Sequence, residues 1–206
     1  MGERALAIFA SYLVGAIPTS YLVSRLVAGI DLREHGSGNL GATNLYRVLG
    51  WKYAVPVALF DIAKGAVPVL CFAPLVSDSK LFALACGVAA IVGHVFSVFV
   101  RFQGGKGVAT AAGVMLGLTP AALGIAALVW VVLVALTGYV SLGSIAAAAV
   151  LPLAVYWLER PALAELIWID AAVAAGVIVL HRRNIQRLLR GTEHRFRRST
   201  ASAPPS

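Results

Sequence analysis

Three short stretches of this chain hold residue types suited to anion chemistry. The first is Ser37-Gly-Asn-Leu-Gly-Ala-Thr-Asn44, followed by Arg47. Gly38 and Gly41 let backbone N–H groups approach an anion, while Ser37, Asn39, Thr43 and Asn44 add side-chain donors. Arg47 supplies a two-pronged donor that matches phosphate. The same composition would also serve a re-entrant or interfacial turn. The second stretch runs from Gly93 to Thr110 and surrounds Lys106 with Gly104, Gly105 and Gly107. It has the chemistry of a phosphate cradle without the Walker A pattern. Val100 stands where that motif needs its first glycine, and Gly107 where it needs Ser or Thr. His94 and Ser97 fall about one turn apart at the end of the preceding helix. The third stretch, His181 to Glu193, puts His181 and Asn184 on one helix face. Leu180, Ile185, Leu188 and Leu189 make it amphipathic, which assigns its arginines to a membrane surface.

Smaller features accompany these. Asp61 and Lys64 lie three residues apart inside an apolar segment, where ionisable groups are costly unless paired or wetted. They read either as a mutual ion pair or as lining of a polar cavity. Ser141 and Ser144, in Tyr139-Val-Ser-Leu-Gly-Ser144, are extra donors or ordinary helix caps. No clustered carboxylates and no His pair at ligand spacing are present, so neither a metal nor a cofactor is expected. Cys71 and Cys86 sit in separate apolar segments and read as packed or lipid-facing thiols.

The elements that must position these groups are written in the composition. Of 206 residues, 60% are hydrophobic and 13% charged, with a mean hydropathy of +0.86. Soluble domains carry roughly a quarter charged residues, and a helix that crosses a bilayer needs about 20 apolar ones. Apolar segments at 4–25, 52–75, 80–100, 107–118, 121–137, 142–158 and 163–181 predict an all-α integral membrane protein of about seven transmembrane helices. The fourth is short for a crossing, and 107–137 as one long helix would give six. Seven spans place Arg25, Arg33, Arg47, Lys52, Arg101, Lys106 and the arginines from 182 to 198 on one side. Only Arg4, Lys80 and Arg160 remain opposite. The positive-inside bias therefore favours seven, with the N-terminus outside and the C-terminus cytoplasmic. Pro120 and Glu159-Arg160-Pro161 mark outer turns. The first segment is long for a signal peptide and lacks a small-residue cleavage site, so it reads as a retained helix. A net charge of +8 on so little soluble surface does not point to nucleic acid. Residues 1–198 read as one polytopic membrane domain, and 199–206 as a disordered tail by composition.

Taken together, SGNLGATN with Arg47, DIAKG at 61–65, GHVFSVFVRFQGGKGVAT at 93–110 and HRRNIQRLLRG at 181–191 resemble the bacterial PlsY-type acyl-phosphate:glycerol-3-phosphate acyltransferases. The resemblance implies a multi-pass enzyme of the bacterial inner membrane with a cytoplasmic active site. It would move an acyl group from acyl phosphate to the 1-hydroxyl of sn-glycerol 3-phosphate, giving lysophosphatidic acid and phosphate, the first step of phospholipid synthesis. An upstream enzyme that forms acyl phosphate is implied as a partner, beside the bilayer itself. Ser37, His94, Lys106, His181 and Asn184 are the expected catalytic residues. Gly38, Asn39, Gly41, Thr43, Asn44, Arg47, Lys64, Ser97, Gly104, Gly105, Gly107, Ser141 and Ser144 are expected to bind substrate phosphate. The His-x4-Asp signature of many acyltransferases is absent, since Leu40, Phe99, Gln186 and Ser199 stand five residues after the four histidines. The base is His94, His181 or a substrate phosphate oxygen. Ser37 reads as a phosphate or oxyanion donor, with no base beside it to make it a nucleophile. The rival reading is a transporter of phosphate anions or lipids, which would place polar groups at the midplane and often show inverted repeats.

Overall fold

The structure is a computed structural model and describes residues 1–158 and 164–196. The turn expected at Glu159-Arg160-Pro161, Arg197, Arg198 and the 199–206 tail lie outside the described residues. Those described form α-helices joined by turns and short 3-10 or π segments. The helices are α1 Gly2–Ala16, α2 Thr19–Ala28, α3 Ala42–Leu49, α4 Trp51–Val67, α5 Lys80–Val95, α6 Val108–Leu118, α7 Pro120–Thr137, α8 Val140–Leu158, α9 Ala164–Leu180 and α10 Arg182–Leu189. Among the described residues five stretches are long and apolar enough to cross a membrane: Gly2–Ala28, Trp51–Phe72, Lys80–Val100, Pro120–Thr137 and Val140–Leu158. The apolar helix α6 and the stretch Ile167–Leu180 are shorter.

The first span is not continuous. Pro18 has no N–H to donate and occupies the N-cap of α2, so the helix breaks at Ile17-Pro18. Freed carbonyls inside a bilayer cost several kcal/mol each unless another group reaches them. Here two groups do. The Ser97 hydroxyl donates to Ala16 O, and the Lys64 ammonium donates to Ile17 O at 2.9 Å. Ser97 lies beyond the end of α5, as N-cap of a 3-10 turn at Val98–Val100, so it is not on the same helix as His94.

Helix pairs approach closely where glycine replaces a side chain, as is usual between membrane helices. Gly15 and Gly93 bring α1 against α5, each facing a backbone carbonyl of the other helix, Ala90 O and Tyr12 O. Gly65 and Gly113 do the same for α4 and α6, against Thr110 O and Ile62 O. The α1–α5 pair is parallel: Arg4 stacks over Phe82 at one end, and the Tyr12 hydroxyl donates to Phe96 O near the other. A core of Val69, Leu84, Ile91, Val95, Val114, Met115 and Leu118 fills the centre, and α9 covers it with Ile169 and Val173. Large apolar side chains such as Leu59, Leu128, Leu136 and Trp168 face outward, as a bilayer requires.

Candidate active site

The loop before α3 holds itself together. Asp31 accepts from the Arg33 backbone N–H at 3.0 Å and pairs with the Arg33 and Arg25 guanidinium groups at 2.7 and 3.4 Å. Hydrogen bonding from Arg33 holds the Asp31 carboxyl down at about 2. Asn44 is buried and fully engaged: its amide donates to Leu32 O and His35 O at 3.3 and 3.0 Å, and its Oδ1 accepts the Ser37 N–H at 2.7 Å. The Gly38 N–H is also spent, on His35 O at 3.1 Å. Residues 42–49, expected as polar loop, form the helix α3, and Asn44 staples the loop to it. Ser37, Asn39, Gly41, Thr43 and Arg47 are left partly exposed on its rim. The Arg47 guanidinium makes no hydrogen bond or ion pair among the described residues.

The glycine loop differs from a simple cradle. Gly104 and Gly105 donate their N–H groups to Val95 O and His94 O at 3.0 and 3.1 Å, folding the loop back onto the end of α5. Those amides are therefore not offered to an anion. A side chain at Gly105 would collide with His94 Nε2 and Leu40 O, which explains the glycine. Arg101 and Phe102 adopt φ of 56° and 61°, an unfavourable region for residues with a Cβ. This tight return delivers Lys106 to the start of α6, whose first turn has no side-chain cap and so directs amides and helix dipole to the same end.

All three sequence stretches meet at Lys106. Its ammonium donates to Asn184 Oδ1, and the Asn184 amide donates to Glu193 Oε1 at 2.7 Å. Ser141 Oγ donates to the same oxygen at 3.0 Å, while Arg187 Nε donates to Glu193 Oε2 at 2.6 Å. Burial pushes the Glu193 carboxyl up, but donation from Arg187, Asn184 and Ser141 outweighs it and leaves the group ionised. Burial pulls Lys106 down to about 8, with Arg187 and Arg47 pulling the same way and Glu193 opposing. Burial likewise lowers Arg47. Among the described residues three cations, Arg47, Lys106 and Arg187, thus share one carboxylate, which leaves a surplus of positive charge.

His181, buried at the junction of α9 and α10, has Nδ1 2.8 Å from Val177 O. A carbonyl can only accept, so Nδ1 carries the hydrogen and Nε2 presents a lone pair. Burial, with Lys106 nearby, lowers this histidine to about 4 and keeps it neutral. Ser144 is held elsewhere: it donates to Val140 O at 2.9 Å and accepts from Trp130 Nε1 at 3.2 Å, bonds internal to the α7–α8 pair.

Lys64 and His94 belong to a second, deeper cluster. The Lys64 ammonium lies 2.7 Å from Asp61 Oδ1, which also accepts from the Thr19 hydroxyl at 3.2 Å. His94 Nδ1 stands 3.9 Å from that oxygen, too far for a hydrogen bond. These groups, with Ile17, Leu40, Gly104 and Gly105, line a crevice of about 10 Å³, room for roughly one water. Asp61 and Lys64 thus form a mutual ion pair that borders this crevice. The Lys64 ammonium is engaged by Asp61 and by Ile17 O.

Glu193 is the member that sequence reasoning passed over. Its signal was present: a lone acid after eleven residues, 182–192, that include four arginines. Among the described residues no group of three or more His, Cys, Asp or Glu could hold a metal ion.

A family model described as glycerol-3-phosphate acyltransferase matches residues 5–191, and so takes in every member of both clusters except Glu193. The chain belongs to that family. Relatives named glycerol-3-phosphate acyltransferase agree along nearly their whole length. One from Geobacter sulfurreducens (strain ATCC 51573 / DSM 12127 / PCA) is 48% identical over 187 residues, covering 91% of this chain and 94% of the relative. Glycerol-3-phosphate acyltransferase 2 of Bacillus anthracis is 43% identical over 191 residues, covering 93% and 98%. The fold matches the crystal structure of PlsY (YgiH), an integral membrane glycerol 3-phosphate acyltransferase, in its glycerol 3-phosphate form. That match has a TM-score of 0.88 and 38% identity, covering 94% of this chain and 96% of that one. The lysophosphatidic acid form of PlsY matches with a TM-score of 0.83 and 36% identity, covering 93% and 94%. The chain is accordingly an all-helical, multi-pass membrane protein of this acyltransferase family.

Proposed function

We propose that this chain transfers a fatty acyl group from acyl phosphate to the 1-hydroxyl of sn-glycerol 3-phosphate, releasing lysophosphatidic acid and phosphate. The observation that carries this is the surplus of Arg47, Lys106 and Arg187 over the single carboxylate Glu193. A phosphate dianion is the complement of that surplus, and both substrates carry phosphate. Arg47, Lys106 and the rim donors Ser37, Asn39 and Thr43 hold the anions, while Asn184 orients Lys106.

The chemistry follows from the donor. Acyl phosphate is already activated, so positioning and charge stabilisation supply most of the rate. The glycerol oxygen bonds to the acyl carbon, the bond from that carbon to the phosphate oxygen breaks, and phosphate departs with the electron pair. His181 Nε2 accepts the hydrogen bond of the attacking hydroxyl and aims it. With its basicity lowered to about 4, His181 is a poor final home for the proton; a phosphate oxygen of the donor takes it. His94, in the deeper crevice, supports the glycine loop through its carbonyl. The chain itself needs no covalent intermediate and no metal for this route.

The membrane arrangement belongs to the same reading. The broken α1–α2 span, α4, α5, α6, α7, α8 and α9 make seven crossings of one domain, residues 1–198, in the bacterial inner membrane. The N-terminus is outside and the active site faces the cytoplasm, where an enzyme forming acyl phosphate supplies the donor. What supports this is that Arg47, Lys106 and Ser141, from three separate connections, gather with Asn184 and Arg187 of α10 at one end. The deep polar pair on which a transporter would depend is bound up with the helix break.

The deciding experiment supplies the purified, detergent-solubilised protein with acyl phosphate and glycerol 3-phosphate. Phosphate release that needs both, without acyl-CoA or acyl carrier protein, is expected. Turnover with acyl-CoA alone overturns the donor assignment. A folded protein that binds glycerol 3-phosphate yet turns over neither donor overturns the reaction.

A further inference from the structure

Among the described residues Arg47 has no hydrogen-bond or ion-pair partner, so its direction is set by the helix that carries it. It sits on α3, a helix of eight residues, too short to be stable without packing. Its inner face is held by Asn44 and Leu45. Its outer face carries Tyr46, whose ring stacks on Phe196 with centroids 4.4 Å apart and planes 21° from parallel. Phe196 is itself fixed: its N–H donates to Gly138 O at 2.6 Å, on the turn between α7 and α8. One residue earlier, Arg195 Nε donates to the Tyr139 hydroxyl at 3.3 Å, and its guanidinium lies 5.3 Å over that ring. Two residues before that, Glu193 enters the cationic cluster. A single strap, 190–196, thus joins α3, the α7–α8 turn and α10 around Lys106.

We propose that Phe196 is a positioning residue: by clasping Tyr46 it holds α3 so that Arg47 faces the phosphate held by Lys106. The inference rests on the phosphate-site reading above and extends it. Tyr46 and Arg47 are consecutive, so a rotation of α3 that releases the ring also swings the guanidinium. The strap couples that rotation to the half of the site built from Asn184, Arg187 and Glu193. Phe196 is exposed at 40%, and its loss leaves the buried core intact.

The test measures glycerol 3-phosphate binding to the full-length protein in detergent by calorimetry, together with KM, kcat and melting temperature. Phe196→Ala is expected to weaken binding and raise KM for glycerol 3-phosphate about three- to tenfold, the scale of a stacked aromatic pair. Melting temperature should stay near wild type, Tyr46→Ala should behave alike, and Phe196→Trp should restore affinity. In an Arg47→Lys background, Phe196→Ala should add little, because residues acting through one another are not additive. Unchanged affinity in Phe196→Ala overturns the clasp. So does an equal loss in the Arg47→Lys background, which would assign Phe196 to general shielding. A wild type that binds no glycerol 3-phosphate overturns the site reading and the clasp with it.

Discussion

The Lys64 ammonium lies 2.7 Å from the Asp61 carboxylate, one helical turn away, with both side chains almost wholly buried. The same ammonium caps Ile17 O where the first span breaks. Removing one partner of a buried pair strands the other, which costs about 3–5 kcal/mol, whereas a neutral pair of similar shape is often tolerated. Asp61→Asn and Lys64→Met singly should therefore lose folded yield in detergent. The double variant Asp61→Asn with Lys64→Gln, which keeps an N–H for Ile17 O, should recover most of it. Equal damage in the double and the singles would show that charge itself is needed there.

Lys106 offers a pH test with a definite sign. Its ammonium, lowered to about 8, is present at neutral pH and lost as pH rises through that value. The phosphate second ionisation near 6 works in the other direction, because the dianion forms as pH rises. Affinity for glycerol 3-phosphate should therefore climb through about pH 6, level off, and fall roughly tenfold per unit above about pH 8. Lys106→Arg, with a cation that does not titrate in this range, should erase the alkaline fall. An alkaline limb that survives in Lys106→Arg would assign it to another group.

Arg47→Ala and Lys106→Ala should each still insert and fold while losing about 10²–10³-fold in kcat/KM, the usual scale for removing a donor to developing charge. Steady-state assays alongside size-exclusion profiles decide it. Retained activity in both would remove these residues from the phosphate site.

Helix packing can be tested by two kinds of glycine. Gly65→Ala presses a Cβ onto Thr110 O and should destabilise by about 1–3 kcal/mol, the cost of overpacking. Gly124→Ala meets nothing within 4 Å and should leave the melting temperature unchanged or slightly raised. Equal melting temperatures would mean that α4 and α6 are not in close contact.

Much of the fold was legible because the bilayer imposes a simple rule on composition. The long apolar runs located the helices, and Pro120 marked the start of α7. The break at Ile17-Pro18 was missed because its carbonyls are satisfied by Ser97 and Lys64, residues far away in sequence. At the site, Arg47, Lys106, His181, Asn184 and Ser141 could be named from residue type and spacing, and the structure brings them together. Which atoms remain free was not legible. The amides of Ser37, Gly38, Gly104 and Gly105 look available in sequence and are spent on local partners in space. Glu193 was hidden for the opposite reason. A carboxylate looks out of place in an anion site until its three donors are seen around it.

The strap that brings Glu193 into the cluster also sets an order of assembly. It is translated after every apolar helix described above. Until it leaves the ribosome, a nascent chain already threaded into the membrane carries Arg47 and Lys106 at the bilayer edge without their counter-charge. On the proposed reading the phosphate site is therefore completed by the last part of the described chain to be synthesised, and partial translation products should bind phosphate loosely, without the order needed for turnover.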